Sequence, residues 1–143
     1  MRWYFSSRTR HEKQINYLIN FLSKHKHEIS FDWTSLGPLK PYEENKGPCL
    51  RASEEVSESI KDSDIFVMIS DKEGTDMLIE LGLAIGNNME KHLPRVYVVG
   101  DYNQRSLMHH HPSIKHVKSI EDVFQRECPN LLLDKNFSQP NFE

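Results

Sequence analysis

Two acids in one apolar stretch, Asp76 and Glu80, are the side chains best suited to chemistry. Glu80 is the only charged residue between Met77 and Met89, and a carboxylate in such surroundings needs a partner or a purpose. Carboxylates are good nucleophiles towards the anomeric carbon of a sugar. Asp76 lies about one helical turn before Glu80, where its charge can raise the proton affinity of Glu80. The pair therefore predicts two catalytic residues, a nucleophile and an acidic helper.

Both acids also have structural explanations. Glu80 can form an ion pair with an arginine or lysine across an interface, since ion pairs also perturb buried acids. Asp76 falls in the first turn of the predicted helix, where the macrodipole favours an acid whatever the function. The spacing of the two residues leaves these alternatives open.

The stretch around the acids predicts a helix that is buried on more than one side. Gly74 lets the backbone turn sharply before this helix, and Thr75 is its predicted N-cap. The most apolar stripe of the helix consists of Met77, Leu81, Ala84 and Ile85. Glu80 falls at the margin of that stripe, so we expect it to face the mouth of a site or a partner subunit.

Strand and helix patterns alternate along the whole chain. Apolar or alternating runs predict strands near residues 3–5, 28–33, 65–69, 95–99 and 115–117. Helical patterns separate them, the first with Thr9 and Glu12 in capping-box spacing. This order predicts an α/β fold of three layers, built on a doubly wound and mostly parallel five-stranded sheet of the flavodoxin or Rossmann type. We expect one domain over residues 1–128 and a C-terminal tail over residues 129–143.

The carboxyl ends of the strands are the expected place for a ligand in such a sheet. Three turns meet at that edge, at residues 6–8, 70–76 and 101–104. The substrate-binding residues predicted there are Phe5, Ser6, Ser7, Arg8, Ser70, Asp71, Gly74 and Asp101. A phosphate could bind the backbone after Ser7 with help from Arg8 and Arg10, although surface arginines are also common. Residues 37–48 form either a loop over the site or a disordered insertion.

Composition excludes several classes of protein. The formal net charge is -3, so no basic field indicates a nucleic-acid partner. No run approaches membrane-spanning length, and two cysteines are too few for a disulfide framework, which fits a cytoplasmic protein. Three consecutive histidines, residues 109–111, point in divergent directions and predict no metal site. The glycines form no phosphate-binding motif.

Five segments, in order, resemble the nucleoside 2-deoxyribosyltransferase-like family: residues 4–8, 59–67, 79–84, 98–101 and 110–112. The resemblance implies that Glu80 attacks C1′ of a nucleoside or nucleotide and that Tyr4 holds this nucleophile. It also implies a covalent glycosyl-enzyme, resolved by another base or by water, with no metal or organic cofactor. Members of the family complete their sites across a dimer, so we expect a homodimer with the apolar helix at the interface.

The sequence departs from the family pattern at two positions. Val56 stands where the family usually has an aspartate, and Gly74 stands where it has an aspartate or a serine near the ligand. These departures favour a divergent N-glycoside hydrolase or a ligand-binding relative over a standard deoxyribosyltransferase. Two alternatives remain: a Toll/interleukin-receptor-like domain that cleaves NAD through a helix glutamate, and a non-catalytic nucleotide-sensing or assembly domain.

Overall fold

Parallel strands and helices alternate along the chain in the computed structural model, which describes residues 1–134 and residue 137. The strands are β1 (Arg2–Ser6), β2 (Glu28–Ile29), β3 (Ile65–Ile69), β4 (Arg95–Val99) and β5 (Ile114–Val117). The α helices are α1 (Glu12–Lys24), α2 (Lys46–Lys61), α3 (Asp76–Lys91) and α4 (Ile120–Glu127). Most of the predicted tail lies outside the described residues.

The five strands form one sheet in the order β2-β1-β3-β4-β5. Every neighbouring pair is parallel, as crossover connections through helices require. β3 is buried along its whole length, which explains its unbroken apolar sequence. The predicted three-layer α/β fold is confirmed.

Alternation along β1 divides the core into two layers, because successive strand residues point to opposite faces of the sheet. Trp3 and Phe5 pack on the side that contains α1 and α4. Tyr4 packs on the other side, with residues of α2 and α3. Ser6, two residues after Tyr4, is also fully buried. This face of β1 is the one that meets the helix carrying Glu80.

The second strand is shorter than predicted. It ends at Ile29, and a 3-10 turn covers Trp33–Ser35. The side chain of Asp32 accepts a hydrogen bond from the backbone of Thr34 at 3.0 Å, and such local bonding replaces the strand ladder. The indole of Trp33 donates to the carbonyl of Phe5 at 2.7 Å. Trp33 is thus held against the end of β1.

Two helix starts differ from their predictions. Thr9 begins a 3-10 turn, and the predicted capping box with Glu12 is wrong because no side-chain cap forms there. α2 already begins at Lys46 and includes Pro48, which the first turn of a helix tolerates since its N–H groups lack helical partners. α4 does have a capping box, formed by its N-cap Ser119 and by Asp122. No described helix combines the length and apolar character needed to cross a bilayer.

Candidate active site

Each carboxylate oxygen of Glu80 accepts a hydrogen bond from a hydroxyl group. The phenol of Tyr4 donates to Oε1 in a short contact, and Oγ of Ser6 donates to Oε2 at 3.2 Å. Tyr4 and Ser6 are two residues apart on β1 and therefore share a face, whereas Glu80 extends from α3 towards that face. One strand thus supplies both groups that hold the acid.

Burial raises the pKa of Glu80 to about 7, although the hydrogen bonds from Tyr4 and Ser6 lower it and the charge of Asp76 raises it. The pKa of Tyr4 is raised well above its ordinary value by burial and then by the charge of Glu80. The phenol therefore stays protonated and donates to the carboxylate. Glu80 itself exists in both protonation states near neutrality, which is the range useful to an acid or a nucleophile.

A cavity of about 390 Å³ opens beside Glu80. It lies between the end of β1, helices α2 and α3 and the segment that joins β2 to α2. Its lining is formed by Tyr4, Ser7, Trp33, Leu36, Leu39, Tyr42, Cys49, Ala52, Ser53, Val56, Ser57, Asp76, Ile79, Glu80 and Leu83. Most of these side chains are apolar or aromatic, a composition typical of small-molecule sites.

Asp76 lines the same cavity and accepts a hydrogen bond from a residue of the segment that joins β2 to α2. The phenol of Tyr42 donates to Oδ2 of Asp76 at 3.1 Å. The pKa of Tyr42 is raised by burial and by the charge of Asp76, so the phenol stays a donor at neutral pH. This bond ties the loop to the first turn of α3.

Asp71 occupies a different environment, fully buried below the start of α3. Its carboxylate contacts Arg10 at 2.7 Å, His11 at 3.2 Å and Arg8 at 3.6 Å. Burial alone would raise the pKa of Asp71, but hydrogen bonds from the Glu73 backbone, Arg10 and His11 outweigh it and lower this pKa. The acid is a structural anchor for the turn after β3.

The turn after β3 is also fixed through its backbone. Arg105 donates to the carbonyl of Asp71 at 2.6 Å and to that of Gly74 at 3.3 Å. Gly74 has φ of 109°, which side-chain-bearing residues rarely adopt, and a Cβ there would lie 3.0 Å from Sδ of Met77. The turn therefore requires glycine, and it sets where α3 begins.

Four of the predicted site residues line the cavity: Tyr4, Ser7, Asp76 and Glu80. Ser6 is buried behind them and donates to Glu80, and the others lie away from the lining. Phe5 packs in the opposite layer, Ser70 is buried and accepts from the backbone of Tyr102 at 3.2 Å, and Asp101 borders a separate groove near β5. Arg8, Asp71 and Gly74 belong to the turn described above. Their roles in binding remain predictions.

Several lining residues were not anticipated from the sequence, above all Trp33 and Tyr42. Both lie in or beside the proline-rich segment that was predicted as a loop over the site. Tyr42 lies within that segment, and Trp33 lies just before it at the end of the predicted second strand. The available signal was an aromatic residue at each of these places, because aromatic side chains commonly line small-molecule sites. Val56, singled out as a departure from the family pattern, also lines the cavity.

No group of three or more histidines, cysteines, aspartates or glutamates within the described residues is arranged to hold a metal ion. His109 is buried, and its Nδ1 lies 2.5 Å from Oγ of Ser106. His110 and His111 contact a backbone carbonyl and Ser113, respectively. The three side chains thus have separate partners.

The chain is similar in shape to a solved structure of known activity. The CMP N-glycosidase BcmB of Clostridium botulinum superimposes with a TM-score of 0.57 at 15% sequence identity, covering 92% of this chain and 100% of that one. At this identity the likeness establishes a shared fold. No protein-family model and no curated protein sequence matches the chain.

Proposed function

We propose that this protein cleaves the N-glycosidic bond of a nucleoside or nucleotide, with Glu80 as the nucleophile. The observation that carries the proposal is the placement of Glu80 beside the cavity with Tyr4 and Ser6 each donating to one carboxylate oxygen. The shared fold of an N-glycosidase that acts on CMP supports the same class of reaction. The apolar and aromatic lining suits a nucleobase.

In the proposed reaction, one oxygen of Glu80 forms a bond to C1′ while the bond from C1′ to the base nitrogen breaks. The base leaves with the bonding electrons and takes up a proton, and the sugar stays attached to Glu80 as an ester. Water then attacks C1′, releases the sugar and restores the carboxylate, or a second base attacks in a transfer reaction. Asp76 assists by its charge and proximity.

The hydroxyls of Tyr4 and Ser6 have a defined part in this scheme. Two donors fix the orientation of the carboxylate, and a positioned nucleophile reacts faster because its orientation is already fixed before reaction. The two hydroxyls also stabilise the ionised form of Glu80 and thus lower its pKa. Burial has the opposite and larger effect, and the resulting pKa is about 7. The acid is therefore available as a nucleophile at and above neutral pH.

We further propose that the protein acts as a homodimer through the outer face of α3. Ile79, Leu83 and Met89 are 62%, 38% and 66% exposed although they are apolar. Ile79 and Leu83 are one turn apart, and Met89 lies one turn after Gly86, between them and the buried side of the helix. Nothing lies within 4 Å of a Cβ built on Gly82 or Gly86. The backbone of a second copy could therefore approach this face of α3 closely. Because Ile79 and Leu83 also line the cavity, a second copy packed there would help to enclose it.

The central test is a substrate screen with purified protein. Nucleosides, nucleoside 5′-monophosphates and NAD are incubated separately, and released base is measured by chromatography. Glu80→Gln should reduce release by roughly a thousandfold or more, as expected for loss of a nucleophile. Glu90→Gln, which removes an exposed acid from the same helix, is the matched control and should retain full activity.

Trapping distinguishes a covalent route from direct attack by water. A 2-fluoro-2-deoxynucleoside should leave a sugar attached to a peptide that contains Glu80, detected by mass spectrometry after digestion. Base release from the natural substrate that persists undiminished in Glu80→Gln would refute the nucleophile assignment. Release from NAD alone would support the Toll/interleukin-receptor-like alternative instead.

The dimer is tested by sedimentation. The wild-type chain of 16.8 kDa should sediment with twice that mass, and Met89→Asp should shift it towards the monomer because a charge is costly in an apolar interface. Met89 does not line the cavity, so this variant leaves the lining unaltered. A wild-type monomer at high concentration contradicts the proposal.

A further inference from the structure

The charged side chains that line the cavity restrict the charge of the ligand that can bind there. Its only charged lining residues among those described are two acids, Asp76 and Glu80. Asp76 is held in place by the phenol of Tyr42, 3.1 Å from Oδ2, and it lies one helical turn from Glu80. A second negative charge brought between these acids would be repelled.

The arginines nearest to the strand ends are committed to other groups. Arg8 contacts Asp71 and the carboxylate of Glu73, the latter at 3.0 Å. Arg10 contacts Asp71, and Arg105 donates to backbone carbonyls of the same turn. None of the three lines the cavity. These cations therefore stabilise the turn before α3, and no arginine of the described chain lines the cavity as the fork that commonly binds phosphate.

Lys40, two residues before Tyr42, contacts the Tyr42 ring and does not line the cavity. Nζ of Lys40 lies 5.7 Å from the centroid of the Tyr42 ring, an arrangement in which the ring attracts the ammonium group. Lys40 is exposed and is absent from the cavity lining. Its contact with Tyr42 supports the residue that holds Asp76.

We propose that the cavity selects an unphosphorylated nucleoside and that Asp76 is the residue that rejects the 5′-monophosphate. This inference rests on the proposed N-glycosidase function and narrows its substrate class. Asp76 accepts a hydrogen bond from a sugar hydroxyl of the neutral substrate, whereas a phosphate in that position meets its negative charge. In this respect the protein differs from its structural neighbour, which acts on CMP.

The test compares kcat/KM for a nucleoside and for its own 5′-monophosphate, with the same base and sugar. The wild-type protein should prefer the nucleoside by about tenfold or more, a ratio that like charges a few ångströms apart readily produce. Asp76→Asn should move this ratio about tenfold towards the monophosphate, and added salt should weaken the wild-type preference. Glu90→Gln is the control and should leave the ratio unchanged, because Glu90 is exposed and does not line the cavity.

The outcomes separate the inference from the proposed function. Equal or faster cleavage of the monophosphate, or a ratio that Asp76→Asn does not move, overturns the inference while the N-glycosidase function stands. Release of base from neither substrate overturns the proposed function. In that case calorimetric binding of the same two compounds to the wild-type protein decides the inference: tighter binding of the monophosphate overturns it, and tighter binding of the nucleoside supports it.

Discussion

Tyr4 and Glu80 are 76 positions apart in the chain, and the phenol of the first donates to Oε1 of the second. The bond joins the first strand to the second turn of α3, and Ser6 donates to the other carboxylate oxygen. It forms because parallel pairing places β1 beside β3, whose following helix returns across that face of the sheet. The ionisation and the reactivity of Glu80 should both depend on this contact.

The pH dependence of base release should report the ionisation of Glu80. Its pKa is about 7, and only the carboxylate can attack C1′. We expect kcat/KM to rise with pH through about 7 and to level off above it, measured with a neutral nucleoside to avoid titration of the substrate. A profile that is already flat at pH 5 would show that another group is the nucleophile.

Removal of the phenol should shift this profile. Tyr4→Phe leaves the ring in the core but deletes a donor to the carboxylate, and a hydrogen bond to a charged group contributes about 1.5–3 kcal/mol. We expect the midpoint to rise by about 1–2 pH units, which lowers the ionised fraction of Glu80 and hence the rate at pH 7 by about five- to fiftyfold. Tyr97→Phe, which removes a phenol that donates to Glu127 at 2.8 Å, is the control and should leave the midpoint in place.

Glu80 should reduce the stability of the folded protein at alkaline pH. Its pKa rises from an ordinary value of 4.5 to about 7 on folding, so between these values the folded state holds more protons than the unfolded state. Stability therefore falls as pH rises through this window. The full cost above pH 7 is about 3 kcal/mol.

Urea unfolding of Glu80→Gln measures this cost. The variant keeps the size of the side chain and lacks the charge. We expect it to be more stable than the wild type by up to about 3 kcal/mol at pH 8 and nearly equal to it at pH 4. If Glu80→Gln were less stable than the wild type by the same amount at pH 8 and at pH 4, burial of the Glu80 charge would not reduce the free energy of unfolding.

Asp71→Asn should destabilise the turn before α3. Asp71 is itself unexposed, but its partners Arg8 and Arg10 are 33% and 35% exposed. Loss of hydrogen bonds to a charged group typically costs about 1.5–3 kcal/mol, and we expect a cost in this range. Glu73→Gln is the matched control, since Glu73 also pairs with Arg8 but is 64% exposed; it should cost less than about 1 kcal/mol. Thermal or urea unfolding at pH 7 compares the two.

The acid side of the stability profile provides a second measurement of Asp71. Its pKa is lowered on folding from the ordinary value of 3.8, so its contribution is present above that value. It is lost as pH falls through the lower value of the folded protein. The wild type should therefore lose its advantage over Asp71→Asn in strong acid, and a constant difference down to pH 2 would argue against the assigned ion pairs.

The sheet and the helix that carries Glu80 were predictable because hydrophobic periodicity is local. β3 and β4 occupy the predicted residues, and the buried stripe of α3 is the predicted one. The position of Glu80 at the edge of that stripe followed from helix geometry alone. Its hydroxyl partner Tyr4 came from the family resemblance, because no spacing rule relates residues so far apart.

The surroundings of the acids were less predictable because they depend on contacts between distant segments. Arg8 and Arg10 were assigned to a possible phosphate, and the structure pairs them with Asp71 some 60 residues away. Trp33 was assigned to a strand, yet its indole is held by a carbonyl of β1. The sequence shows that these side chains are present, but only the folded structure shows which of them contact one another.

Side chains of β1 alternate between the two faces of the sheet, and this restricts the changes in length that the strand can tolerate. Residues on one side of this strand fill the layer shared with α1 and α4, and those on the other side hold Glu80. Insertion or deletion of a single codon inside the strand would exchange the two sides, putting an aromatic hydrocarbon against the carboxylate and a phenol into the opposite layer. Point substitutions can adjust this strand, whereas single-residue changes in its length should be found among loss-of-function alleles.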